Sequence, residues 1–126
     1  MEQLPTRKND LLERTAIFGE NIIEFCMKLE KNNISTIIIK QLVRSGTSVG
    51  ANYYEANSAC SRKDFSNKIF LCKKEAEETK YWLRMLAKCL VNYDDQINEI
   101  ANETQALVMI FQKIVNTLRE PKKENI

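Results

Sequence analysis

The feature that most constrains this chain is an unbroken set of apolar and small residues, Phe65, Ile69, Cys72, Ala76, Thr79, Leu83, Leu86 and Leu90, recurring at steps of four and three. Steps of that size return to one side of an α-helix and give the spacing of a coiled-coil seam. A strand, with its period of two, cannot hold such a set on one face. Leu11, Thr15, Phe18, Ile22, Phe25 and Leu29 repeat the pattern, as do Ile97, Ala101, Thr104, Val108, Phe111, Val115 and Leu118. A fourth set, Ile38, Leu42, Ser45, Val49, Asn52 and Ala56, lies between the first two. Its Ile37-Ile38-Ile39 run would suit a strand, but the length of the segment and its continuing period predict helix.

Helix punctuation bounds these segments. The chain has only three Gly and two Pro, so few turns and long elements are expected. Asn9 or Asp10 can cap the first helix, and Ser61, with Asp64 three residues on, can cap the third. Lys31-Asn32-Asn33 and Asn92-Tyr93-Asp94-Asp95 read as breaks, and Pro121 with the charged tail ends the last helix. The predicted helices are about 10–31, 35–58, 62–91 and 95–119. Short connectors between four such helices predict an all-α, up-down antiparallel four-helix bundle, with residues 1–126 as one domain.

Composition narrows the function classes. At 44% hydrophobic and 29% charged, the 126 residues suit a globular fold with a core that needs no staples. There is no His, and the four cysteines, Cys26, Cys60, Cys72 and Cys89, form no C-x-x-C pair. The usual zinc ligand sets therefore lack half their members. The cysteines are expected to be reduced and to behave as small buried hydrophobes. The first residues show no signal-peptide core, and no apolar run approaches bilayer length. A cytoplasmic protein with no metal or cofactor and no membrane partner is expected.

The second helix departs from a plain bundle. From Ile34 to Ser61 its only charged side chains are Lys40, Arg44 and Glu55. A surface helix normally carries a charged outer face, so this one is expected to be covered on more than one side, most simply by further copies of the chain. Gly46 and Gly50 each cost roughly 1 kcal/mol relative to Ala inside a helix. Close approach of a neighbouring helix explains them, whether within the chain or between subunits. Arg44, Ser48 and Glu55 share a stripe beside the core face. Glu75, Glu78, Trp82 and Cys89 form the matching flank of the third helix. An Arg-carboxylate network linking the two helices, Arg44 to Glu75 or Glu78, follows from how a guanidinium matches carboxylates. A di-iron site would need His, and an acid pair for glycoside chemistry would need a cleft, so these carboxylates are expected to be structural.

The other flank of the third helix is basic. Arg62, Lys73, Lys80, Arg84 and Lys88 lie along it, with Lys63 and Lys74 at its edge. From Arg62 to Tyr93 there are eight basic and four acidic residues, a net +4, whereas the whole chain is only +2. Such a stripe is either a phosphate-contacting surface or a solvated face with Glu77 as a pairing partner. No aromatic stacking platform for single strands is evident beside it.

Two stretches, QLVRSGTSVGANYYEA (Gln41 to Ala56) and DFSNKIFLCKKEAEETKYWLRML (Asp64 to Leu86), carry a family resemblance. The pattern R-S-x-x-S-x-x-A-N followed by K-E-A-x-E-T-x-Y-W-L resembles the bacterial four-helix-bundle proteins encoded in intervening sequences of 23S rRNA genes. That resemblance implies a self-associating bundle, a homopentamer, with a link to RNA or to the genes that carry it. It also implies kinship with accessory subunits of retroelement reverse transcriptases. The motif positions here are Arg44, Ser45, Ser48, Asn52 and Glu55, then Lys74, Glu75, Glu78, Thr79, Tyr81 and Trp82. Two functions are thus expected in competition. One is a non-enzymatic oligomer that binds structured RNA or DNA through Arg62, Lys73, Lys80, Arg84 and Lys88. The other is an accessory scaffold for a protein partner such as a reverse transcriptase. An enzyme is the third reading, and it lacks nucleophile–base pairs, metal ligands and a phosphate loop.

Overall fold

Four helices account for nearly all of the chain in a computed structural model that describes residues 7–120: α1 (Arg7–Met27), α2 (Asn33–Ala56), α3 (Arg62–Cys89) and α4 (Asp94–Arg119). Each helix packs on the next in sequence, and α4 closes the ring loosely against α1. The backbones of the diagonal pairs α1/α3 and α2/α4 stay apart, as the up-down topology of short connectors requires, while side chains such as Tyr53 and Phe111 meet across the core. Among the described residues there is no strand.

The four-and-three patterns place the core with few errors. Leu11, Thr15, Phe18, Ile22, Phe25 and Leu29 are all buried, as are Ile69, Cys72, Ala76, Thr79, Leu83 and Leu86. The pattern misses Leu107, which is fully buried on α4. It also misplaces α2 by part of a turn. Ile38 and Asn52 are only half-buried, while Ile39, Gly46 and Tyr53 face the core beside Leu42, Ser45, Val49 and Ala56. The cause lies in α1. Two glycines let α2 rotate Gly46 and Gly50 toward that helix, so its inward face is wider than a single seam.

Side-chain size decides that contact. A Cβ at Gly46 would overlap Ile22 Cδ1, and one at Gly50 would sit 3.1 Å from the Thr15 carbonyl oxygen. Gly19 of α1 faces the Thr47 backbone in turn. The small residues of α2 therefore serve close packing within the chain, and the helix-propensity cost of each Gly is offset by backbone approach.

Local signals set the ends. The Asn32 side chain accepts from Ile34 N and Ser35 N, and Ser35 Oγ accepts from Asn32 N, a reciprocal cap. The second helix thus starts at Asn33, two residues before Ser35, and the first ends at Met27 rather than Lys31. Ser61 caps α3 by accepting from Asp64 N at 3.0 Å. The reciprocal half of that box is not formed, and the Asp64 carboxylate lies 3.9 Å from Cys60 Sγ. Asn9 and Asp10 do not cap α1, which already begins at Arg7; Pro5 and Pro121 lie outside the described residues. Asn92 turns the chain into α4 in the left-handed region, φ 73°, where Asn is better tolerated than most residues. The loose α1/α4 seam is latched by Arg14, whose Nε and Nη2 donate to the two Glu103 oxygens at 2.8 and 2.7 Å.

Candidate functional site

The seam between α2 and α3 holds the polar network the sequence suggests. Arg44 donates to Glu75 Oε2 at 3.3 Å and pairs with Glu78 as well. One guanidinium thus serves two carboxylates, Nη1 facing Glu75 and Nη2 facing Glu78, while its Nε donates to Gln41 Oε1 at 2.9 Å. Trp82 Nε1 donates to Glu78 Oε2 at 2.8 Å, so the indole orients the same carboxylate. Beneath this layer Thr79 Oγ1 donates to Ser45 Oγ at 2.9 Å, and neither residue is reached by solvent. A buried hydroxyl needs such a partner.

Three residues assigned to the same network are satisfied elsewhere. Ser48 Oγ donates to the Arg44 carbonyl and Asn52 Nδ2 to the Ser48 carbonyl, both bonds within α2. Polar side chains on a helix commonly turn back on their own backbone in this way. Glu55 pairs with Lys68 at 3.3 Å, toward the far end of the helices. Outside the seam α2 leaves Ile34, Ile37 and Tyr54 about two-thirds exposed (69%, 64% and 67%). The exposed part of α2 thus mixes these apolar side chains with Lys40, Arg44 and Glu55.

On α3 the basic residues separate into two groups. Arg62, Lys73 and Lys80 lie along the edge that meets α4. Arg62 donates to the Leu118 carbonyl at 3.1 Å, Lys80 Nζ to Gln105 Oε1 at 2.6 Å, and Lys73 is half-buried. Arg84 and Lys88 are exposed, and so are Lys63 and Lys74. Among the described residues no carboxylate lies within ion-pair distance of these four. Lys63, Phe70, Lys74, Glu77, Tyr81, Arg84 and Lys88 follow each other at steps of seven, then four and three, and every one is exposed. They form one solvent-facing stripe along the whole helix. Phe70 was not singled out from the sequence, and Tyr81 only as a motif position; neither was placed on the basic flank. Their own spacing from Lys63, Lys74 and Lys88 was the available signal.

Among the described residues no group of three or more His, Cys, Asp or Glu could hold a metal. Cys26 and Cys72 are buried and Cys89 is half-buried, but Cys60, in the α2–α3 connector, is exposed, contrary to the expected burial. Burial pushes the Cys72 thiol up to about 12 and the Cys26 thiol up to about 11, the latter opposed by the Lys31 charge. Both are therefore neutral in the folded chain at ordinary pH. The stability this lends is complete below their unfolded value of 9.0 and is lost as pH rises through 11 and 12. Unfolding free energy should then fall above pH ~9 by up to about 1.4 kcal/mol per pH unit for each thiol. In a thiol-labelling time course at neutral pH, Cys60 should react at once, and Cys26 and Cys72 only on addition of denaturant. Rapid native labelling of Cys72 would contradict its placement.

This geometry defines a class: an all-helical bundle with a polar α2/α3 seam and a cationic outer helix, and with no helix among the described residues long and apolar enough to cross a membrane. Residues 7–113 match the 23S rRNA-intervening sequence protein family, and the chain belongs to that family. A solved structure from Bacteroides thetaiotaomicron, a protein of unknown function from the S23 ribosomal protein family, is similar to it. The two share 32% identity and a TM-score of 0.76 over 88% of this chain and 99% of that one. Among curated proteins none matches the chain.

Proposed function

We propose that this chain is a non-enzymatic, self-associating bundle that binds structured RNA through the exposed face of α3. The observation that carries the reading is the stripe of Lys63, Lys74, Arg84 and Lys88, four exposed cations with no carboxylate partner among the described residues. A solvated structural helix usually answers its cations with acidic residues three or four positions away. Here Glu77 is the sole acid on the stripe, and it turns toward Lys80 at 3.9 Å. Cations left unanswered along a helix suit a polyanion, whose phosphates release counterions when neutralised. The family description, tied to 23S rRNA, favours RNA over other polyanions.

Self-association rests on the exposed Ile34, Ile37 and Tyr54 of α2. Large apolar side chains exposed to this degree suit a partner surface, and the Arg44–Glu75–Glu78 seam beside them supplies polar register. Five copies are what the family resemblance implies. The α3 stripe uses none of these α2 residues, so assembly through α2 would array several cationic stripes around one particle and steepen the salt dependence of binding.

Reversing charge on the exposed stripe tests the reading. The double variant Arg84→Glu, Lys88→Glu touches no hydrogen bond or ion pair of the described fold. It should bind a fluorescent RNA hairpin at least about tenfold more weakly at moderate salt, with a shallower salt slope, while keeping its oligomeric state. Unchanged affinity would sink the assignment and favour the accessory-scaffold reading, in which the partner is another protein.

A further inference from the structure

We infer that Phe70 and Tyr81 are stacking platforms for unpaired bases, so that the α3 stripe recognises single-stranded loops of an RNA rather than its paired stems. This rests on the nucleic-acid reading above and refines it. Phe70 is 48% exposed and Tyr81 53% exposed, although the bundle has room for aromatics inside, as Phe18, Phe25 and Phe111 show. Neither ring stacks on another. The one aromatic contact of Tyr81 is a perpendicular one with Trp82, centroids 5.0 Å apart at 78°, which leaves ring surface open to solvent.

Position gives the rings their meaning. Lys63 lies two turns before Phe70 and Lys74 one turn after it. Lys74 lies two turns before Tyr81, with Arg84 one turn after and Lys88 two turns after. Every aromatic thus stands between cations on the same exposed line, and Lys74 sits between the two rings. Eleven residues separate Phe70 from Tyr81, which is about 16 Å along the helix axis. A flexible strand can place its phosphates on the cations and turn bases onto the rings across that distance. A paired A-form stem cannot, because its bases are stacked on each other and its readable groove offers backbone and 2′-hydroxyls. Stacking on aromatic faces between cationic contacts is the general chemistry of single-strand binding, tolerant of sequence because every base has a π-face. Glu77 fits the same picture: held toward Lys80, it leaves the line between the rings cationic.

The alternative occupant of two exposed rings is a second copy of the chain. Charge argues against it. Bringing Lys63, Lys74, Arg84 and Lys88 against another protein surface would bury several unpaired cations, whereas α2 offers the exposed Ile34, Ile37 and Tyr54, and its Arg44 and Glu55 already have partners.

The test is the double variant Phe70→Leu, Tyr81→Leu in the full chain. Leucine keeps the apolar character and helix propensity of these positions and removes only the π-face. Affinity for a labelled single-stranded RNA of mixed sequence should fall about five- to hundredfold for each ring. Affinity for a blunt RNA duplex should hold, and the salt slope should be unchanged because no phosphate contact is lost. Equal single-strand affinity in wild type and variant would overturn the stacking role while leaving phosphate binding intact. An equal loss on duplex and single strand would overturn it too. Dissociation of the oligomer, read by light scattering, would reassign the rings to subunit contacts. Absence of binding to either RNA by the wild type would overturn this inference together with the reading it rests on.

Discussion

Phe111→Ala lowers the free energy of unfolding by about 3–5 kcal/mol, the loss expected when a fully enclosed aromatic is truncated. Phe111 is inaccessible to solvent, its ring tilted at 47° to that of Tyr53 with centroids 6.2 Å apart. Leu107, Val108 and Val115 pack in the same cluster. Truncation removes the ring's transfer free energy and leaves a cavity that four helices in mutual contact cannot easily close. Against a total stability of about 5–15 kcal/mol for a domain of this size, the change consumes a large share. Urea denaturation followed by circular dichroism, at fixed protomer concentration because assembly adds stability by mass action, should show a lower midpoint with an unchanged slope. A loss below about 1 kcal/mol would mean that Phe111 does not anchor the core.

Gly50→Leu destabilises the fold by up to about 2 kcal/mol net, although leucine is the better helix former. Propensity alone would favour the variant by roughly 0.8–1 kcal/mol. The opposing term is steric. The first carbon of the new side chain would already lie 3.1 Å from Thr15 O and 3.3 Å from Thr15 C, both backbone atoms that no rotamer change can move. The rest of the side chain must push α1 away from α2, an overpacking that costs about 1–3 kcal/mol or more. The same denaturation experiment reads the effect. The competing explanation of the small residues, contact between subunits, predicts a different outcome: an unchanged protomer and a dissociated assembly.

The helical period made most of the core legible because each helix buries one stripe, and a stripe repeats in sequence. All six positions assigned on α1 are buried, as are six of the eight on α3, where Phe65 and Leu90 near the ends are partly buried. Legibility fails where a second neighbour changes the buried face. On α2 the glycine contact with α1 brings Ile39 and Tyr53 inward in place of Ile38 and Asn52, and that contact depends on residues far away in the chain. The Arg44–Glu75–Glu78 cluster could be foreseen, since opposite charges on adjacent flanks have few other partners. Its detailed wiring could not, since the charge pattern alone does not assign Nε to Gln41 and one Nη to each carboxylate. The exposed aromatics of α3 were hidden for a related reason. Phe70 and Tyr81 lie outside the core face that the period assigns to α3, but the period alone does not say how far solvent reaches a residue on its flank.

These observations combine into one physical picture. The fold is held by four apolar stripes and the α2/α3 seam by a shared guanidinium; α2 exposes Ile34, Ile37 and Tyr54, and α3 exposes a cationic stripe. The chain belongs to the 23S rRNA-intervening sequence protein family, and the proposed RNA contact falls on the unanswered cations of α3.

The most direct measurement is a fluorescence anisotropy titration of the wild-type protein against a structured RNA hairpin and a matched DNA duplex, at low and at moderate salt. Tighter binding to the hairpin, weakening steeply as salt rises, is the result expected of a phosphate-contacting α3 face that also engages an unpaired loop. Absence of binding to both, even at low salt, would contradict it and leave the stripe a solvated helix surface.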